Sequence, residues 1–136
     1  MGRSLYRLHR WLYRRTRGVV GHHSPVGPIL LLETTGRRSS QPRTVPLLYF
    51  KNEGCFYVVA SNGGRPSYPG WFLNVRVNSR VKVQVGPRGL NADAQVMEQA
   101  ERNDLWPQLT AFYSGWAHYE TLTSRPIPVV RISPVA

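Results

Sequence analysis

Beyond residue 28 the apolar residues fall into short runs, each closed by a turn rich in glycine, proline or asparagine. Ile29–Thr34 is one run, Arg43–Phe50 a second and Cys55–Ala60 a third. Val81–Val85 alternates valine with Lys82 and Gln84, the period of a strand with one wet face. Leu90–Met97 and Ile127–Ile132 complete six candidate strands. Glu53-Gly54 marks a hairpin, and Pro87-Arg88-Gly89 marks a turn before Leu90. Turns this close leave little room for the crossovers of a parallel sheet. The pattern predicts a mainly β chain with some α, its antiparallel strands closed into a barrel or curled sheet. The first three strands are expected to pair as a meander. Gly70–Asn78 reads as a short helix, and a second helix opens at Glu101 or Asn103 and runs to about Tyr113.

The front of the chain has a different period. Residues 4–17 read as a helix, with Ser4 as N-cap and Gly18 just past its end. Leu5, Leu8, Trp11 and Leu12 share one face, and Arg3, Arg7, Arg10, Arg14 and Arg17 share another. Such a helix can lie on the core or rest on an anionic membrane surface. With 136 residues there is material for one modest core. The expected organisation is a basic amphipathic helix over 1–20 and a barrel domain over 21–136. No run is long and apolar enough to span a bilayer, and no secretory signal pattern is present. A single cysteine, Cys55, suits a reducing compartment such as the cytoplasm.

Charge narrows the chemistry. Residues 1–92 carry 15 basic and two acidic side chains, and the remainder is slightly acidic. Sixteen of the 18 basic residues are arginine, whose planar fork matches phosphate and carboxylate. An anionic cofactor, an anionic lipid surface and nucleic acid all fit that bias. The chain lacks a G-x-G-x-x-G, a Walker A and a G-x-S-x-G sequence. Its histidines have no metal-ligand spacing, so no metal is expected. Its seven carboxylates are scattered. A bound cofactor would therefore have to carry any reaction.

Three segments could hold one. Thr34–Arg43 combines a strand end, a glycine turn, two hydroxyls and Arg37, Arg38 and Arg43, the ingredients of a phosphate site or of an ordinary basic hairpin. Val59-Ala60-Ser61-Asn62-Gly63-Gly64 places glycines after a strand, where a ligand can approach backbone. Pro69-Gly70-Trp71-Phe72-Leu73-Asn74 opens a helix whose first amides could face an anion.

Taken in order, these segments resemble the deazaflavin-dependent nitroreductase and quinone reductase family. The resemblance is carried by Gly27-Pro28, Thr34 to Ser39, Pro42-Arg43, Pro46-Leu47, Ala60 to Gly64, Pro69-Gly70-Trp71, Asn74, Leu105-Trp106 and Arg125 to Val130. It implies a split β-barrel and the cofactor coenzyme F-420, an 8-hydroxy-5-deazaflavin with a phosphodiester and an oligoglutamate tail. It implies hydride transfer to a quinone or a nitroaromatic acceptor. By motif position Arg37, Arg38, Ser39 and Arg43 would hold phosphate and tail carboxylates. Thr44, Val45, Pro46, Leu47 and Leu48 would line the cofactor. Val59, Ala60, Ser61 and Asn62, with Gly70, Trp71, Phe72, Leu73 and Asn74, would border the ring. The family's acceptor pocket uses tyrosines at three-residue spacing, and Tyr113, Trp116 and Tyr119 take those places here. Trp116 keeps the flat surface and moves the donor to an indole N–H. Tyr113 and Tyr119 are the proton-donor candidates. Alternatives left open are a flavin mononucleotide oxidase on the same barrel, a non-catalytic deazaflavin binder and a basic nucleic-acid-binding barrel. Monomer and dimer are both compatible with the sequence.

Overall fold

A computed structural model describes residues 27–135. The expected helix over 4–17, and with it the membrane-surface reading, lies outside the described residues. Seven antiparallel strands form one sheet: β1 (Ile29–Thr35), β2 (Pro42–Leu48), β3 (Phe50–Asn52), β4 (Cys55–Val59), β5 (Arg80–Val85), β6 (Arg88–Val96) and β7 (Val129–Pro134). The order across the sheet is β2-β1-β5-β6-β7-β4-β3.

That order explains the closure. β2 and β3 lie at opposite edges, yet only Tyr49 separates them in sequence. The sheet must therefore curl until its two edges meet at that residue. The Tyr49 N–H donates to the Pro28 carbonyl at 3.1 Å, and its buried ring meets Phe56 edge-on. The run Arg43–Phe50, read from sequence as one strand, is thus two. The expected meander is replaced by two hairpins, β1–β2 and β3–β4, on opposite edges, with β4 pairing to β7. The turn between β5 and β6 is Gly86-Pro87, earlier than expected, with Gly86 at φ 56° in the first central place of a two-residue hairpin.

Three helices accompany the sheet: α1 (Gly70–Val77), α2 (Gln99–Phe112) and α3 (Gly115–Thr121). The last was not anticipated, because a seven-residue segment opening on glycine has little helical signal of its own. α1 sends Trp71, Phe72 and Val75 into the barrel, against Leu30, Leu32 and Val83. α2 and α3 cover the outer face of β4 and β7, where Leu105, Leu109 and Trp116 pack on Tyr57, Val59 and Val129. Among the described residues no helix is long and apolar enough to cross a membrane.

β1 is buried on both faces, which fits its unbroken apolar run. Glu33 sits within it, and its Oε1 has no hydrogen-bond partner. Burial raises its carboxyl pKa, against a smaller opposing pull from Lys82, its cross-strand neighbour on β5. A carboxyl whose pKa is raised by folding favours the fold when protonated and loses that contribution as pH rises through the folded pKa. Glu33→Gln is therefore expected to raise the melting temperature at pH 7, with the gain shrinking toward pH 4. Thermal melts across that interval check it, and a gain that grows on acidification contradicts it.

Candidate functional site

The turn after β1 is built on Gly36. Its N–H donates to the Gln41 carbonyl and its carbonyl accepts from Ser40 N–H, both at 2.8 Å. The tip exposes Arg37, Arg38 and Ser39. Asn74 of α1 fixes this tip from beneath. Its buried side chain accepts from the Arg37 backbone N–H at 3.1 Å and from Arg37 Nη1 at 2.9 Å. Its amide donates to Thr34 Oγ1 at 3.0 Å. Arg43 Nη2 reaches Ser39 Oγ at 3.5 Å. Among the described residues Arg38 has no hydrogen-bond or ion-pair partner. The three ion pairs among the described residues all lie elsewhere, so no carboxylate neutralises these arginines.

Beside this turn opens a cleft of about 1140 Å³. That slightly exceeds the usual range for drug-sized ligands, about 300–1,000 Å³, and leaves room for a ring system with a chain attached. Gly36, Arg37, Arg38, Ser39 and Arg43 form its cationic end. Val45, Pro46, Leu47 and Leu48 of β2 and Val59 of β4 form an apolar wall. Ser61 and Asn62, with Gly70, Trp71 and Asn74, form the side facing it. Tyr113, Trp116 and Tyr119 complete the lining.

Four residues singled out from the sequence do not line the cleft. Ala60 and Phe72 are buried in the barrel core, and Leu73 packs against it. Thr44 pairs with Glu33 across β1 and β2 and lies off the lining. Gly36, Gly63 and Pro69 line the cleft as members of the three candidate segments, though no role was given to them singly. Arg65 and Tyr68 line it from the loop between two of those segments, and a short loop joining two pieces of one wall belongs to that wall. Arg125 was recognised only as part of a resembling stretch. It grips the 61–68 loop from behind through the Ala60, Ser61 and Arg65 carbonyls.

Glycine is required at specific points. Asn62, Gly63 and Gly64 have φ of 49°, 65° and 79°, so the chain makes a left-handed turn there. A Cβ on Gly64 would press on the Tyr119 carbonyl and Leu122, which ties this turn to α3. A Cβ on Gly115 would collide with the Tyr113 ring. By contrast, a Cβ on Gly63 or Gly70 would meet nothing, because both open into free space.

The aromatic end is held by contacts among its own members. Trp116 is buried and meets Tyr113 edge-on at 5.3 Å. Among the described residues the Trp71 and Trp116 indole N–H groups find no acceptor. The Tyr113 and Tyr119 hydroxyls lie 3.4 Å apart. The Tyr113 pKa is raised, first by its hydrogen bond with Tyr119 and then by burial.

Comparison with known proteins identifies the family. The family model for F420H(2)-dependent quinone reductase matches residues 5–134. The chain belongs to that family. It is accordingly an oxidoreductase that uses reduced F-420 as hydride donor to a quinone. An F420H(2)-dependent quinone reductase of Mycobacterium tuberculosis is 40% identical over 134 residues, which is 96% of this chain and 90% of the relative. A solved F420-H2 dependent reductase is 39% identical with a TM-score of 0.71, covering 78% of this chain and 94% of its own. A second structure, described as a domain-swapped dimer, is 34% identical with a TM-score of 0.71, covering 92% and 98%. The flavin mononucleotide alternative finds no support in the family match.

The residues fit F-420. A polyanionic tail needs unneutralised cations, and Arg37, Arg38, Arg43 and Arg65 meet that need. A flat tricyclic ring needs apolar and aromatic walls with open backbone between them, which Val45–Leu48, Trp71 and Gly70 provide.

Proposed function

We propose that the cleft seats F-420 with its phosphodiester and tail on Arg37, Arg38, Ser39 and Arg43. The ring then lies between β2 and the start of α1, and the acceptor lies on the ring beside Tyr113, Trp116 and Tyr119. The observation that carries this reading is the unneutralised arginine turn, anchored by buried Asn74 at the mouth of an apolar cleft. When bound, reduced F-420 supplies a hydride and the acceptor's ring receives it.

The chain's own contribution is placement and proton supply. β2 and α1 would hold the cofactor close to the acceptor, and that proximity would supply much of the rate. The edge-on packing of Trp116 against Tyr113 fixes the position of both rings at that end of the cleft. The Tyr113 and Tyr119 hydroxyls share a hydrogen bond that either can donate; with Tyr113 as donor to Tyr119 Oη, the Tyr119 O–H is free to donate to the acceptor oxygen. That proton, with the hydride, converts a quinone to its hydroquinone, and solvent reprotonates Tyr119. A nitroaromatic ring suits the same flat slot, and supplying menadione and a nitroaromatic in parallel separates the two acceptor classes.

Arg38 gives the cleanest test of the site, because it supports nothing within the protein. Arg38→Gln is expected to leave the melting temperature unchanged. Fluorescence titration should show F-420 binding weakened about tenfold, as for loss of one charged hydrogen-bonding partner. Arg37→Gln with Arg38→Gln should weaken it further, and added salt should narrow the gap to wild type. Undiminished binding in the double variant removes the basis of this reading.

A further inference from the structure

The left-handed turn at the end of β4 has an unusual hydrogen-bond balance. The Gly64 and Arg65 N–H groups close the turn onto the Ser61 and Asn62 carbonyls at 2.9 and 3.2 Å, and one guanidinium gathers further carbonyls around it. The Ser61 carbonyl accepts from Arg125 Nη2 at 2.7 Å, and the Arg65 carbonyl accepts from Arg125 Nε at 2.9 Å. The Ala60 carbonyl accepts from both Nη atoms at 3.3 Å. The same guanidinium lies over the Tyr68 ring, 4.7 Å from its centroid. Meanwhile the N–H groups of Ser61, Asn62 and Gly63 find no acceptor among the described residues.

These facts are linked by peptide geometry. In a trans peptide the C=O and the following N–H point in opposite directions, and there is no cis bond among the described residues. Pulling the Ala60 and Ser61 carbonyls onto Arg125 therefore turns the Ser61 and Asn62 amides the other way. Ser61 is right-handed, at φ −74° and ψ −32°, and Asn62 is left-handed at φ 49°. That succession gathers consecutive N–H groups into a concavity suited to an anion or a negatively polarised oxygen. All three residues line the cleft.

We infer that Arg125 is a positioning residue. By holding the Ala60 and Ser61 carbonyls behind the loop, it presents the Ser61–Gly63 amides as an oxygen-binding row for the polarised ring carbonyls of F-420. The inference rests on the cofactor seat proposed above. It adds a cation that serves the ligand without touching it, by orienting backbone dipoles. Lysine cannot replace it, because a point charge cannot span three carbonyls and cover a ring.

The test uses the full chain, oxidised F-420 as probe, and two readouts: binding by fluorescence titration and amide resonances by NMR. In wild type the Ser61, Asn62 and Gly63 amide protons should move downfield on adding F-420. In Arg125→Lys and Arg125→Ala those shifts should vanish and binding should weaken about tenfold or more. Ser61→Pro is the second variant, needed if the Arg125 variants fail to fold. The native φ of −74° already suits proline, so the change deletes one free N–H while keeping that angle. It should fold, and it too should bind F-420 at least tenfold more weakly. Unmoved amides in a wild type that binds F-420 overturn the inference and leave the seat standing. Wild-type binding and shifts in the Arg125 variants, or full-strength binding by Ser61→Pro, overturn it as well. The seat itself falls only if the Arg37 and Arg38 changes leave binding intact.

Discussion

Asn74→Ala is expected to lower the melting temperature by on the order of 10 °C and to weaken F-420 binding at least tenfold. The stability loss follows from three hydrogen bonds made by one buried amide. Thr34 is almost fully buried and would lose the donor to its hydroxyl. The Arg37 N–H would lose its acceptor in the same step. Orphaning buried partners while forfeiting their bonds costs about 2–4 kcal/mol. The binding loss follows because Arg37 Nη1 rests on the same oxygen, so the guanidinium becomes free to wander. Asn74→Asp separates the two effects. A carboxylate can still accept from Arg37, and the Thr34 hydroxyl can rotate to donate to it. That variant should keep most of its stability, yet it places a negative charge against Arg37 and should still bind the polyanionic cofactor weakly. A melting curve and a fluorescence titration on each variant suffice. Full-strength binding by both would show that Asn74 merely supports the fold.

The legibility of this molecule follows the range of its interactions. The Arg37–Arg43 turn, the Asn62-Gly63-Gly64 loop end and the Gly70-Trp71 helix start were readable because each is a local signal. Backbone angles that favour glycine or asparagine, and a cluster of like charges, leave their mark within a few adjacent residues. Five of the expected strands appeared within about two residues of their predicted ends, since alternation is also local. The sixth, Arg43–Phe50, hid the barrel's closure. Its apolar pattern runs through Tyr49 without a break, and nothing nearby says that the strand changes edges there. Arg125 was opaque for a different reason: its partners lie about sixty residues earlier, and carbonyl acceptors leave no trace in a sequence. The same holds for Asn74, whose bond to Thr34 spans forty residues. Phe72 shows the limit of motif position. It neighbours a cleft residue in sequence, but its helical position turns it into the barrel, edge-on to Trp71.

The two tyrosines give the sharpest functional contrast. Tyr119→Phe should reduce turnover with a quinone by about a hundredfold or more, the usual scale for loss of a general acid. F-420 affinity should hardly change, because the arginine turn proposed to hold the cofactor does not include either tyrosine. Tyr113→Phe should cost less, about tenfold, since Tyr119 keeps its own proton and loses only the neighbour that orients it. The asymmetry is expected if Tyr113 donates in the shared hydrogen bond, which either hydroxyl can do. The Tyr113 pKa is raised first by that bond. Removing the Tyr119 hydroxyl should therefore let Tyr113 ionise at lower pH, visible as phenolate absorbance in an alkaline titration. Gly115→Ala reaches the same pair from the backbone, because the added methyl meets the Tyr113 ring and forces it aside. It should resemble Tyr113→Phe in turnover while leaving both hydroxyls in the protein. If Tyr119→Phe and Tyr113→Phe instead lower turnover equally and slightly, the proton reaches the acceptor from water, and the tyrosines only shape the slot.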